Sequence, residues 1–327
     1  MKISEHIVEN IFTDSVELQP NRNGFGEGLL EAGKNNNQVV ALSADLTEST
    51  RVNLFADEFP DRFIQCGIAE QNMASVASGM AAMGKVPFIA SYAMFSPGRS
   101  WEQVRTTIAY NDANVKVIGA HAGVSVGPDG ATHQAIEDIA IMRVIPNMIV
   151  IAPCDINEAR KAVLWAAEHK GPVYIRIARE KTPVITTVDC PFNFGKAMLL
   201  AEKTDGAQKS VGIISTGTLA HSALQAAKTL NEEGIGASVL HLGTIKPLDT
   251  AALEAFAADH DGLLTIEEHQ AAGGMGSAVT EYLSGVQPTK IIRLGIQDMF
   301  GQSGTPEELL KHYGLDVSAI VAAGKSI

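Results

Sequence analysis

Arg62-Phe-Ile-Gln-Cys-Gly-Ile-Ala-Glu70-Gln-Asn-Met73 reads as a strand that runs into a turn at Gly67 and continues as a helix with Glu70 in its first turn. Taken alone, Glu70 says little, because an acidic residue at a helix start complements the helix dipole. The helix over residues 70–83 is dense in Ala, Ser, Gly and Met and stops at Gly84, a residue suited to the left-handed position that ends helices. Its small side chains predict close packing on both sides. Strand, tight turn and helix make one unit of a parallel sheet, and the pattern repeats outward in both directions.

Short β-branched runs at residues 39–43, 63–66, 86–91, 115–121, 148–152 and 173–177 alternate with segments of helical period, as strands do when helices cover their sheet. From Glu180 to Phe194 the period lapses into Lys-Thr-Pro, Asp-Cys-Pro and Asn-Phe-Gly, the composition of a connection. A second alternation follows. Strands are expected at residues 211–215, 237–240, 263–266 and 291–294, and helices near 219–233, 250–258, 275–284 and 306–313. The expected fold class is therefore α/β in two parts. Residues 1–185 form a larger parallel-sheet domain, 186–194 a linker, and 195–327 a smaller α/β domain.

The 327 residues carry 37 acidic against 25 basic side chains, a net charge of −12, and 46% are hydrophobic. Such a chain has enough apolar material for two cores. Its acidic balance excludes a general nucleic-acid binder, which clusters Lys and Arg on one face, so any anionic ligand must be held by a local basic site. Charged residues interrupt the N-terminus at Glu5, Glu9 and Asp14, leaving no signal-peptide core, and no run of 18 apolar residues occurs. A cytoplasmic protein is expected. Cys66, Cys154 and Cys190 are odd in number, widely spaced and without a Cys-x-x-Cys pair, so neither a disulfide framework nor a zinc knuckle is indicated. They read as ordinary half-buried thiols.

Two further stretches carry chemistry. His121-Ala-Gly-Val-Ser-Val-Gly-Pro-Asp129-Gly-Ala-Thr-His133-Gln follows an expected strand, at the edge where open α/β sheets place ligands. Thr132 is suited to cap a helix beginning near Gln134, but capping does not account for both histidines. Ser91-Tyr92-Ala-Met-Phe95-Ser-Pro-Gly-Arg99-Ser-Trp101 puts aromatics at the same edge, where they either stack on a planar ring or fill the core. Gly273-Gly-Met-Gly276 lacks the Gly-x-Gly-x-x-Gly spacing of a dinucleotide site and reads as a tight turn that lets strand and helix pack closely.

Together these motifs resemble the thiamine diphosphate enzymes of the transketolase type. Gly-Ile-Ala-Glu70-Gln resembles the segment whose glutamate bonds the cofactor's aminopyrimidine, Asp129-Gly-Ala-Thr-His133-Gln the substrate loop, and Ser43-Ala-Asp45-Leu-Thr-Glu-Ser49 a third family segment. Residues 262–276 are similar to the family's C-terminal domain. The resemblance implies a cofactor-activating role for Glu70, with Asp45, Tyr92, Phe95 and Arg99 beside the cofactor and Phe95 preferred as the stacking ring. It implies that Arg22, Ser49, His121 and Arg179 hold a sugar phosphate, while Asp129 and His133 meet its hydroxyls and carbonyl, His133 as a catalytic group. The residue types suit this: a doubly charged phosphate favours planar, permanently charged Arg donors, and imidazole exchanges protons near neutrality. Compared with the deoxyxylulose-phosphate synthases among these relatives, Pro97-Gly98 carries one extra residue.

The family's Gly-Asp-Gly segment, which holds the diphosphate and its metal, does not occur in this sequence. The resemblance then implies the C-terminal half of a transketolase encoded as two chains. A separate N-terminal subunit would supply the diphosphate site and bind Mg2+ or Ca2+, with no metal ligands on this chain and an α2β2 heterotetramer as the assembly. The implied reaction moves a two-carbon ketol unit from xylulose 5-phosphate to ribose 5-phosphate or erythrose 4-phosphate. The rivals are the β subunit of a 2-oxo acid dehydrogenase and a non-catalytic scaffold. The small domain of this chain is expected to serve assembly and not chemistry.

Overall fold

The computed structural model describes all residues, Met1–Ile327. Two sheets organise them. In the seven-stranded sheet the order is Thr244–Lys246, Ile149–Ile151, Val173–Arg176, Lys116–Ala120, Val86–Tyr92, Val39–Ser43, Phe63–Gln65. All neighbours are parallel except the edge strand Thr244–Lys246. Val39–Ser43 and Lys116–Ala120 are buried along their whole length, as expected of parallel strands covered on both faces. The second sheet runs Lys2–Ile3, Met198–Glu202, Gly236–His241, Ser210–Ser215, Gly262–Gln270, Ile291–Ile296, parallel through its last four strands.

Each sheet borrows an edge strand from the other part of the sequence. Lys2 and Ile3 pair with Glu202 and Ala201, while Thr244 and Lys246 pair with Ile151 and Val150. The apolar core follows suit: Val40 and Leu42 of the first sheet share one buried cluster with Ile214, Leu240 and Leu263 of the second. On the far face of the first sheet, helices Asn21–Asn35 and Ile156–Glu168 lie against each other. A Cβ at Gly24 or Gly28 would strike the backbone of Ile156 or Arg160, so these glycines set the approach of the two helices. No helix is long and apolar enough to cross a membrane.

Several expectations need correction. Lys181–Pro183, inside the stretch that lost its period, is a strand paired with Leu18–Pro20. Residues 131–133 form a turn, and the following helix starts at Asp138, with Thr132 bonded to the His133 ring instead of capping it. The helix Glu70–Ala82 packs on one side only. Met73, Ala74 and Ala77 are buried, whereas Gln71, Asn72, Ser75, Val76 and Gly79 face outward, so its small residues mark an open face. Gly84, one residue past the cap, has φ +83° and the left-handed role expected of it. Cys154 and Cys190 are buried, and only Cys66 is half-buried.

Candidate active site

The strand Phe63–Gln65, the turn at Gly67 with φ +67°, and the helix start bring Glu70 to the end of the sheet with 1% of its surface exposed. Its carboxylate accepts a hydrogen bond from Arg99 Nη1 at 2.7 Å and a longer one from Ser91 Oγ at 3.4 Å. Ser91 is the last residue but one of the strand Val86–Tyr92, which Val39–Ser43 separates from Phe63–Gln65 in the sheet; Tyr92 ends that strand and Phe95 lies in the turn that follows. The Tyr92 and Phe95 rings stack with centroids 6.2 Å apart and 21° between planes, and the Arg99 guanidinium lies 4.9 Å from the Phe95 centroid. The extra Pro97-Gly98 is accommodated tightly: a Cβ at Gly98 would collide with the Met94 carbonyl. The result is a recessed carboxylate next to flat apolar rings.

Tyr92 continues into the second group. Its ring meets His121 edge-on at 4.0 Å, and His133 lies 5.5 Å from Phe95, also edge-on. His121 Nε2 accepts a hydrogen bond from Arg22 Nη1 at 3.1 Å, because a guanidinium can only donate, and Arg22 Nη1 also donates to the Ser49 carbonyl at 2.9 Å. The opposite ring nitrogen, Nδ1, is buried without a partner. Asp45, Arg51 and His121 all have left-handed backbones, at φ +61°, +70° and +54°. Side chains with a Cβ adopt that region at a cost, and such residues gather at functional sites. The exposed Asp45 is held by its backbone N–H, which donates to Gln65 Oε1 at 2.8 Å, while the Gln65 amide donates to Thr47 Oγ1.

Arg179 Nη1 donates to the Val126 carbonyl and to Asp129 Oδ1, at 2.9 and 3.2 Å. The loop bearing Asp129 is gripped by the second domain. Glu268 accepts from the Ser125 backbone N–H and from Ser125 Oγ, and the Gln134 amide donates to the carbonyls of Val124, Gly127 and Gln302. Gly123, at φ +91°, would drive a Cβ into the Glu268 carboxylate. The smaller domain thus shapes the loop as well as packing on the larger one. In the same domain, Gly274 and Gly276 make room for Glu267, whose carboxylate accepts the Met275 and Gly276 N–H groups at the next helix start, so the glycine turn seats a carboxylate.

The structure brings Arg22, Ser49, Glu70, Tyr92, Phe95, Arg99, His121, Asp129, His133 and Arg179 to one edge of the parallel sheet, with Asp45 on the adjoining turn. Sequence reasoning missed Arg51, Gln65 and Glu268. Arg51 stands two residues beyond Ser49, inside a segment already singled out, and its Nε donates to Asn23 Oδ1 at 2.9 Å. Burial lowers the Arg22 pKa, and the charges of Arg51 and Arg179 lower it further. Arg51 and Arg179 therefore each repel the charge on Arg22. Burial, then Arg22, Arg179 and His133, push the His121 ring down from 6.5 to about 3. Between those values the unfolded chain binds a proton that the folded chain refuses, so His121 makes stability rise with pH from about 3 to 6.5 and lowers it on acidification. Its contribution to the slope is at most about 1.4 kcal/mol per pH unit. Urea titrations between pH 6.5 and 4 should show a shallower pH dependence in His121→Asn, whose side chain tolerates the left-handed backbone; equal slopes would contradict this.

A buried carboxylate at a helix start, paired rings and an arginine cluster thus lie together at one edge of the parallel sheet. Residues 19–184 match the family model of the transketolase pyrimidine binding domain and residues 201–320 that of the transketolase C-terminal domain. A chain of Methanocaldococcus jannaschii described as a transketolase C-terminal section is 45% identical, covering 91% of this chain and 93% of its own length. A 6-deoxy-6-sulfo-D-fructose transketolase subunit of Clostridium sp. is 37% identical over 100% of this chain and 96% of its own. The solved structure of a split gene transketolase, an inactive β4 tetramer, superposes with a TM-score of 0.86 at 42% identity, covering 94% of this chain and 97% of that one. The chain belongs to the transketolase family, whose activity depends on thiamine diphosphate, and it comprises the half made of the pyrimidine-binding and C-terminal domains.

Proposed function

We propose that this chain is the pyrimidine-binding subunit of a two-chain transketolase, working with a separate diphosphate-binding subunit in an α2β2 assembly. The observation that carries the reading is the recessed Glu70 carboxylate beside the stacked Tyr92 and Phe95 rings, one step from the Arg22, Arg51, Arg179 and His121 cluster. A carboxylate and a flat apolar wall suit an aminopyrimidine, and His121 Nδ1, buried, unpaired and carrying the ring proton because Nε2 accepts from Arg22, is a donor available to a ligand. The split-gene relative in its β4 form is described as inactive, consistent with a chain that needs another. The outward face of the Glu70 helix, with Val76 and Met83 exposed and Ile68 just before it, suits contact with that second chain. Mg2+ or Ca2+ would enter with the partner: the one cluster of three potential ligands on this chain, Cys154, Glu158 and His241, includes no residue of the site.

When bound, thiamine diphosphate supplies the carbon nucleophile and the electron sink for breaking a carbon–carbon bond. In this reading Glu70 holds the aminopyrimidine by sharing a proton with its ring nitrogen, and Phe95 and Tyr92 fix the ring plane. Arg99, now bonded to Glu70, orients that carboxylate. Arg22, Arg179, His121 and the Ser49 segment hold the terminal anion of the sugar; Asp129 and His133 meet its hydroxyls and carbonyl, with His133 moving the hydroxyl proton. The carrier would be a ketose phosphate such as xylulose 5-phosphate, with ribose 5-phosphate or erythrose 4-phosphate as acceptor. A sulfonate end suits the same arginines, as the name of the Clostridium relative suggests.

The test mixes the chain with a candidate diphosphate-domain subunit and assays each alone and together. Two-carbon transfer from xylulose 5-phosphate, or from a sulfonated ketose, is expected only in the mixture. Turnover by this chain alone overturns the two-chain reading. Turnover of pyruvate with an artificial electron acceptor, and none of sugar, replaces it with a 2-oxo acid dehydrogenase, while calorimetry showing no thiamine diphosphate binding to the mixture replaces it with a scaffold.

A further inference from the structure

Where the two sheets meet, three side chains of metal-ligating type converge in the interior. Cys154 follows the strand Ile149–Ile151, Glu158 lies in the first turn of the helix Ile156–Glu168, and His241 ends the strand Gly236–His241 of the other sheet. Cys154 is 1% exposed, Glu158 9% and His241 0%. Glu158 Oε2 accepts the Cys154 backbone N–H at 2.6 Å and faces His241 Nε2 at 2.9 Å. One ligand atom from each, the cysteine sulfur, a carboxylate oxygen and an imidazole nitrogen, lies within 4.8 Å of the other two.

An ion pair between Glu158 and His241 accounts for the contact between Oε2 and Nε2, yet three features lie outside it. A thiol occupies the third corner, where any small apolar residue would fill the space. His241 Nδ1 is buried with no partner. Gly243 keeps clear the space in front of Glu158, since a Cβ there would collide with Glu158 Oε1 and approach His241 Nε2. A cavity lined by Glu158, His6, Lys196 and Thr244 reaches the group at Glu158. Asp155, also adjacent, is no ligand, because both its oxygens are taken by Thr186 and by the N–H groups of Ile185 and Glu158.

We propose that Cys154, Glu158 and His241 form a binding site for a zinc-class divalent cation that ties the two domains together, with the fourth position facing the cavity. Sulfur, nitrogen and oxygen donors in one set favour Zn2+ over Mg2+ or Ca2+, which prefer oxygen alone. The donor spacing needs only small side-chain shifts: tetrahedral bonds of about 2.0–2.3 Å put ligand atoms about 3.3–3.8 Å apart, against 2.9 Å between Glu158 Oε2 and His241 Nε2 and no more than 4.8 Å across the set. Charge closes as well, since thiolate and carboxylate balance a divalent ion. Burial beside Glu158 holds Cys154 as a neutral thiol, so binding must displace its proton to solvent, along with any proton shared by Glu158 and His241. The site is independent of the transketolase reaction proposed above.

The test uses the full chain, alone and in its assembled complex, stripped with a chelator and titrated with Zn2+ or Co2+. One equivalent per chain, protons released on binding, and a thiolate-to-Co2+ charge-transfer band are expected. Cys154→Ser and His241→Gln should lose the band and the Zn2+-dependent rise in thermal midpoint. Cys154→Ala, a milder change, serves if His241→Gln fails to fold. No binding at micromolar Zn2+, or binding unchanged in the cysteine variants, overturns the site.

Discussion

Glu70→Ala in the assembled enzyme is expected to lower turnover by about 10²-fold or more, the usual worth of a positioned proton-transfer group. Glu70 has no near substitute. It is buried at a helix start, and the charged group within bonding distance is Arg99, at 2.7 Å. Truncation leaves that guanidinium and Ser91 Oγ facing a void, neither able to take a proton from a ring nitrogen and return it. Glu70→Gln keeps the shape and the hydrogen bonds but cannot ionise, so it should also fall sharply in turnover while binding thiamine diphosphate more nearly as the parent does. Comparing kcat at saturating cofactor with cofactor affinity by calorimetry separates the two roles. Near-normal kcat in Glu70→Ala without excess cofactor would remove Glu70 from the chemistry.

Glu70 was legible because everything that places it is local: a strand, one glycine turn and a helix within about a dozen residues. The same holds for the loop from His121 to His133, which follows directly from a buried strand. What escaped the sequence is fixed by partners distant along the chain. Lys2–Ile3 and Thr244–Lys246 are too short to show a period of two, and become strands only because the opposite sheet offers an edge. Arg51 and Gln65 act through backbone and amide contacts across two turns, and no pattern of residue types announces such contacts. The small residues of the Glu70 helix predict packing on both sides, but only one side is buried within this chain, because small size permits a close approach without supplying a neighbour. Glu268 escaped for a related reason: its partner Ser125 is 143 residues away, so a carboxylate in the smaller domain gave no hint that it holds the loop of the larger one.

That link makes the second large effect structural. Arg176→Met is expected to destabilise the chain by about 3–5 kcal/mol, the usual cost of removing one partner from a buried ion pair. Arg176 Nε donates to Asp138 Oδ2 at 2.9 Å, and Nη2 to the Glu268 carbonyl at 2.7 Å, while the Tyr174 hydroxyl donates to the same Asp138 oxygen at 2.6 Å. Burial opposes the charge on Arg176, but Asp138 and Glu268 outweigh it and raise its pKa. Methionine fills much of the volume yet leaves two buried carboxylates without their cation. Burial pushes the Glu268 pKa up and Arg176 opposes that shift; without Arg176 the group gains a proton more readily and can accept less from Ser125. Loss of stability should therefore come with a looser 124–129 loop and a higher KM for the sugar, since Asp129 and Arg179 meet on it. Replacing Asp138 by Asn together with Arg176→Met should cost less than the two single changes summed, because neither then strands a charge on the other. Urea unfolding of the single and double variants measures both terms, and a loss below about 1 kcal/mol, the range of an exposed pair, would show that solvent reaches this network.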